Sequence, residues 1–157
     1  MFVRYYVDLA LPFGSVERAF LADPGEWLPG MAHDADERGD RLLGEVGFGQ
    51  GPRIGKRVEV EVGEPAKLHG TTLLPIAWKA TATDAVFPSL EADLEIAALG
   101  PDRTQLSISA RYRPPMGGVG RVLDRALLHR VAEATLKDFL DRVGEGLSAR
   151  VLAASGG

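Results

Sequence analysis

Apolar and polar residues alternate with a period of two over several short stretches of this chain. Val3, Tyr5, Val7 and Leu9 alternate with Arg4, Tyr6, Asp8 and Ala10, which predicts a first strand over residues 2–11 with one buried face. Pro12-Phe13-Gly14 ends it, and Ser15 is placed to cap a short helix carrying Val16, Ala19 and Phe20. Asp23-Pro24-Gly25 stops that helix. A second short helix or turn, Glu26 to Met31, carries Trp27, Leu28 and Met31, and a charged, exposed stretch follows from His33 to Asp40.

From Arg41 to Arg113 the pattern predicts strands joined by tight turns. The first is Leu43 to Phe48, weakened by Gly44 and Gly47, with a turn at Gln50-Gly51-Pro52-Arg53. Val58, Val60 and Val62 mark the next. Leu68 to Thr83 follows, where Pro75 predicts a bulge or a sheet edge. Leu90, Ala92, Leu94 and Ile96 alternate with Glu91, Asp93 and Glu95. Leu106, Ile108, Ala110 and Tyr112 alternate with Ser107, Ser109, Arg111 and Arg113. Strands with one apolar and one polar face form an antiparallel sheet that is wet on one side and needs a cover on the other. The cover is a segment of roughly thirty residues with helical spacing. Leu123, Leu127, Val131, Leu136, Leu140, Val143 and Leu147 fall near one broad face of it. Gly144 and Gly146 predict weak last turns, and residues 152–157 a flexible tail. One domain over residues 1–151 accounts for the whole pattern, without linker or repeat.

Composition narrows the class. With 157 residues, 45% of them hydrophobic and 25% charged, the chain matches an ordinary globular domain. It contains no cysteine, which excludes disulfides, thiolate metal sites and cysteine nucleophiles. The net charge of −4 supplies no global field for nucleic acid. The longest central stretch without Lys, Arg, Asp or Glu, Leu68 to Trp78, is too short to span a bilayer, and a cytoplasmic domain is expected. Arginines outnumber lysines 14 to 4, the mark of a GC-rich genome.

Three segments together resemble the SRPBCC superfamily, also called START-like or Bet v 1-like, in its bacterial polyketide cyclase/dehydrase and lipid transport type. They are LPFGSVERAFLADPGEWLPGM (11–31), the run of alternating strands, and RYRPPMGGVGRVLDRALLHRVAEATLKDFLDRV (111–143). The resemblance implies the α+β helix-grip fold. In that fold a curved antiparallel sheet of six or seven strands wraps around a long C-terminal helix, with two short helices after strand 1. A fold shared by carriers, receptors and cyclases does not by itself name an activity.

The residues carry little overt chemistry. His33, His69 and His129 have no metal-site spacing, and HExxH and GxSxG are absent. His33 lies near Asp34, Asp36 and Glu37, a grouping better read as a solvated acidic loop. Glu91, Asp93 and Glu95 belong to the wet face. The glycine run 44–51 fails the spacing of a dinucleotide loop and precedes no helix. Met116-Gly117-Gly118-Val119-Gly120 does precede one and reads as a hinge, with anion binding the rival use. Residues 111–130 contain five arginines and one aspartate, so Arg111, Arg113 and Arg121 could draw an acidic head group to a pocket mouth, or form a solvated face.

Tyr5, Phe48, Trp78 and Tyr112 fall on the inferred inward faces, Trp78 subject to the register of residues 68–83, and there they either line a pocket or fill the core. The expected ligand site is Tyr5, Trp27, Met31, Phe48, Trp78, Leu94, Ile108, Tyr112, Met116, Leu123 and Leu127. Trp27 and Met31 should pack against the sheet rim. Together with the resemblance, this predicts binding of a hydrophobic small molecule — a lipid, polyketide or isoprenoid — between sheet and C-terminal helix. No cofactor or metal is expected, and a homodimer is compatible. An aromatase/cyclase-like enzyme using Tyr5, Tyr112, His129 or an arginine as proton shuttle is the first alternative, and a protein-interaction module the second.

Overall fold

The computed structural model describes residues 1–45, 57–81, 89–113 and 125–157. The elements run β1 (Phe2–Leu9), α1 (Phe13–Leu21), α2 (Pro24–Glu45), β2 (Arg57–Val62), β3 (Ala66–Leu68), β4 (Thr71–Thr81), β5 (Ser89–Gly100), β6 (Arg103–Arg113) and α3 (Arg125–Ser155). All strand pairs are antiparallel, in the order β1-β6-β5-β4-β2, with β3 beside β4. This is the curved sheet and long C-terminal helix that the sequence predicts.

The register stacks the inward residues in rows across the sheet. Thr72, Ile96, Leu106 and Val7 make one row, Leu74, Leu94, Ile108 and Tyr5 the next. Then come Val62, Ile76, Ala92, Ala110 and Val3, and finally Val60, Trp78, Leu90 and Tyr112. Their period of two gives the sheet one apolar face, on which Leu94, Ile96, Leu106 and Ile108 are fully buried. Glu91 and Asp93 project from the opposite, exposed face, and Glu95 points the same way half-buried. Two helices cover the apolar face: α3 packs on β1 and β6, and α2 on β2. They run antiparallel, with Met31 beside Gly146, Asp34 bonded to Arg142, and Gly39 beside Val131 and Thr135. At the Thr72 end α1 closes the sandwich with Val16 and Phe20, both fully buried. Thr72 Oγ1, also fully buried, donates to Glu17 Oε1 at 2.7 Å and ties β4 to α1.

Several local expectations change. Helix α1 starts at Phe13, capped by Pro12 without a side-chain bond, so Ser15 lies inside its first turn. Helix α2 spans 22 residues rather than Glu26–Met31. It takes in the charged stretch 33–40 and residues 43–45, which were expected to open a strand; residues 46–48 lie outside the described residues. Leu28, Ala32, Ala35 and Gly39 form its buried stripe, spaced by four, three and four. Pro29 is tolerated because it lies near the N-terminal end, where its missing N–H costs one early bond.

The expected strand 68–83 is present as β4 from Thr71 to Thr81; Leu68 instead belongs to β3, joined to it by a turn at His69-Gly70, and residues 82–83 lie outside the described residues. Gly70 has φ +71°, a conformation that favours glycine. Pro75 neither bulges the strand nor places it at an edge. It pairs with Asp93 in register, and its carbonyl accepts from Gly63 N–H at 2.8 Å. Its missing N–H faces Gly63 as well, so that pair makes one bond where a ladder pair exchanges two, and β2 ends at Val62.

Gly144 and Gly146 do not fray the long helix, which continues through Ser155, so residues 152–155 of the expected tail form its exposed last turn. A Cβ at 144 would lie 3.4 Å from Leu9 and Val7, and one at 146 would fall 2.6 Å from Met31 Cε. The two glycines let α3 approach β1 and α2 closely.

Candidate ligand site

The four interior rows belong to one buried core whose side chains change in kind along its length. Near α1, large aliphatic residues from sheet and helix meet: Leu74, Leu94, Ile96, Leu106 and Ile108 against Leu136, Leu140 and Leu147, all at most 1% exposed. Toward the far end the inward residues of the central strands shorten to Ala92 and Ala110, then enlarge to Leu90, Trp78 and Tyr112. Helix α3 approaches β1 and β6 closely, and the central strand β4 reaches it through a large side chain. The Trp78 ring meets Phe139 edge-on, with centroids 5.0 Å apart and planes at 77°. This end carries an aromatic pair spanning the sheet-to-helix gap, two alanines one row inward, and the Tyr112 phenol across the row. Among the described residues no buried side-chain nitrogen or oxygen lacks a partner, so this interior presents mainly apolar surface.

The expected site residues divide into groups. Trp78 (4% exposed) and Tyr112 (9%) share the last row; Leu127, half-buried on the first turns of α3, is not among the residues packed against that core. Leu94 and Ile108 face each other in the solid part of the core. Tyr5 lies inward but half-buried near the β1 edge, where the Lys137 ammonium sits 5.5 Å from its ring centroid. Trp27 and Met31 lie against the C-terminal half of α3, Trp27 within the core cluster and Met31 packed on it. The Trp27 indole N–H donates to the Ala22 carbonyl at 3.2 Å, and Arg150 stacks 5.5 Å over its ring. Phe48, Met116 and Leu123 lie outside the described residues, as do the Met116–Gly120 hinge and most of the glycine run.

The polar candidates are placed away from this interior. His129 Nε2 sits 3.0 Å from Glu133 on the surface of α3, His33 lies 3.5 Å from Glu37, and His69 is exposed in its turn. No group of three metal-ligating side chains occurs among the described residues. Arg111 lies on the outer face opposite Glu91, so it does not contribute to a mouth on the inner face. Lys137 donates to Asp141 at 2.6 Å; that bond, the Asp141 charge and the nearby Tyr5 hold its pKa above the ordinary lysine value.

Two concavities lie elsewhere. A trough of about 550 Å³ crosses the outer face of the sheet between Pro75, Glu91, Asp93 and Arg111, and a groove of about 330 Å³ follows β1 beside Arg130, Glu133 and Lys137. Among the described residues no helix is long and apolar enough to cross a membrane.

No protein-family model and no curated protein matches the chain. Solved structures do. A conserved protein from Geobacillus kaustophilus aligns over 95% of this chain and 96% of its own, with a TM-score of 0.58 and 17% identity. The Zhui aromatase/cyclase from Streptomyces sp. R1128 aligns over 98% and 97%, with a TM-score of 0.50 and 17% identity. At such identity the likeness is one of fold. The chain has the helix-grip fold.

Proposed function

We propose that this chain binds a hydrophobic small molecule between the apolar face of the sheet and α3, at the end marked by Trp78, Leu90 and Tyr112. The observation that carries the reading is the Trp78–Phe139 pair, which bridges β4 and α3 beside the short residues Ala92 and Ala110. A ligand there gains affinity from apolar burial, about 25 cal/mol per Å² before ordering costs. The site is Trp78, Tyr112 and Leu127 from the described residues, with Phe48, Met116 and Leu123 as further candidates. Leu94 and Ile108 support it from beneath; Trp27 and Met31 belong to the helix packing at the other end. Lipid, polyketide and isoprenoid are the ligand classes, and the cytoplasm is the proposed setting.

The experiment compares native and denaturing mass spectra of freshly purified protein and extracts it with organic solvent. A lipophilic mass at one per chain, released by the solvent, is the expected result. An empty protein that also takes up no fatty acid, polyketide or isoprenoid on incubation overturns the reading.

The fold likeness to an aromatase/cyclase motivates one rival. In it Tyr112 passes a proton to a poly-β-keto chain held in the same interior. Turnover of such a substrate, lost in Tyr112→Phe, separates catalysis from carriage.

A further inference from the structure

Strand β1 ends the sheet path, and among the described residues no strand pairs with its outer edge. Exposed edges invite pairing with another chain, and proteins usually blunt them. This one carries two exposed aromatics on its outer face, Phe2 (61%) and Tyr6 (60%). Between and beyond them stand Arg4 and Asp8, also exposed. Across the ladder they face Ser109 and Gln105, and among the described residues neither has an ion-pair partner.

The backbone fixes which registers an incoming strand can take. Met1 and Tyr112 exchange both backbone bonds, at 2.9 and 2.8 Å. In an antiparallel ladder bonded pairs alternate, so Val3, Tyr5, Val7 and Leu9 also turn their N–H and C=O toward β6. The free groups at the edge therefore belong to Phe2, Arg4, Tyr6 and Asp8. A second β1 must set these even-numbered residues opposite one another. Tyr5 opposite the partner's Tyr5 satisfies this but leaves Arg4 facing Tyr6. Arg4 opposite Arg4 juxtaposes like charges. Tyr6 opposite Tyr6 brings Arg4 against Asp8 twice, by symmetry, and forms about six backbone bonds.

We propose that two copies of this chain pair through β1 in that last register, joining their sheets into one continuous antiparallel sheet around a two-fold axis at Tyr6. The interface is isologous, each copy giving Arg4 to the other's Asp8. The groove beside Val3, Tyr5 and Ala134 leaves room along the edge for the partner's inward side chains.

Sedimentation of the full chain over a concentration series tests the pairing, and engineered cysteines test the register. The wild type is expected to form a dimer. Asp8→Arg should weaken association by about ten-fold or more, and the exchange Arg4→Asp with Asp8→Arg should restore it. The chain has no native cysteine. Tyr6→Cys should therefore oxidise to a covalent dimer, because directly opposite Cα atoms lie within disulfide reach, about 5.5 Å. Arg4→Cys should not, its two copies being four residues apart along the strand. A wild type that stays monomeric at the highest concentration overturns the proposal. So does a dimer indifferent to both charge variants, or equal cross-linking at positions 4 and 6. Circular dichroism of each variant separates lost association from lost folding.

Discussion

Trp78 on β4 and Phe139 on α3, 61 positions apart in the sequence, meet edge-to-face with 5.0 Å between centroids. The geometry is the one aromatic quadrupoles favour, and it ties the central sheet to the long helix. Phe139 is fully buried, so Phe139→Ala removes both the ring contact and a large apolar volume. A loss of about 3–5 kcal/mol in unfolding free energy is expected, read from the urea midpoint. Trp78 fluorescence should shift to the red in the native state as its edge contact is lost.

At the opposite end of the sandwich, Thr72→Val isolates one hydrogen bond. The replacement keeps the shape and removes the donor to Glu17, whose carboxylate also lies 3.6 Å from Lys67. Because Glu17 is partly exposed, water can take over much of its solvation. The expected cost is about 1 kcal/mol, measured by denaturation. A cost near zero would mean that α1 docks through Val16 and Phe20 alone.

Much of this architecture is legible in the sequence, for a physical reason. Strands β5 and β6 lie between two neighbours with one wet face, so every second residue is apolar and the register follows. Helix α2 is hidden because, past Leu28, its buried stripe is Ala32, Ala35 and Gly39, small side chains that give little apolar contrast. Pro29, Gly30 and Gly39 further suggest interruption. The helical spacing of that stripe is the signal that finds it. Gly144 and Gly146 are misleading in the same way: intrinsic propensity reads them as weak turns, whereas both lie within a continuous helix in close contact with Leu9, Val7 and Met31. For the site, inward orientation of Tyr112 follows from alternation, whereas that of Trp78 depends on the register of residues 68–83, which the pairing of Trp78 with Leu90 fixes. Their grouping away from Trp27 and Met31 does not follow from alternation, because it depends on how α2 lies along α3.

Ala110 and Ala92 give the proposed site a further handle. They face each other on the inner sheet surface, one row from Trp78 and Tyr112. Ala110→Leu should fill space that a ligand needs and lower uptake of a hydrophobic ligand by about ten-fold or more, while overpacking costs about 1–3 kcal/mol of stability. Ligand content per chain in native mass spectra reads the first effect and thermal denaturation the second. Unchanged ligand content would remove the alanine row from the site.

Lys137 titrates with a definite sign. Its folded pKa is raised, chiefly by the bond to Asp141, so the favourable contribution is fully present below the unfolded value of about 10.4 and is lost as pH rises through the folded value. An NMR titration of its side chain should show a midpoint above 10.5, falling toward 10.5 in Asp141→Asn. Stability near neutral pH should not respond to this group's titration.

The two tryptophans allow the most direct test of ligand binding, because Trp78 lies at the proposed site and Trp27 packs under Arg150 beside the C-terminal turns of α3. Stearic acid carrying a nitroxide quenches indole fluorescence only on contact. Titrated into a Trp27→Phe variant, it should quench Trp78 saturably at one molecule per chain, and titrated into Trp78→Phe it should leave Trp27 bright. Saturable quenching of Trp27 with Trp78 unaffected would contradict the account.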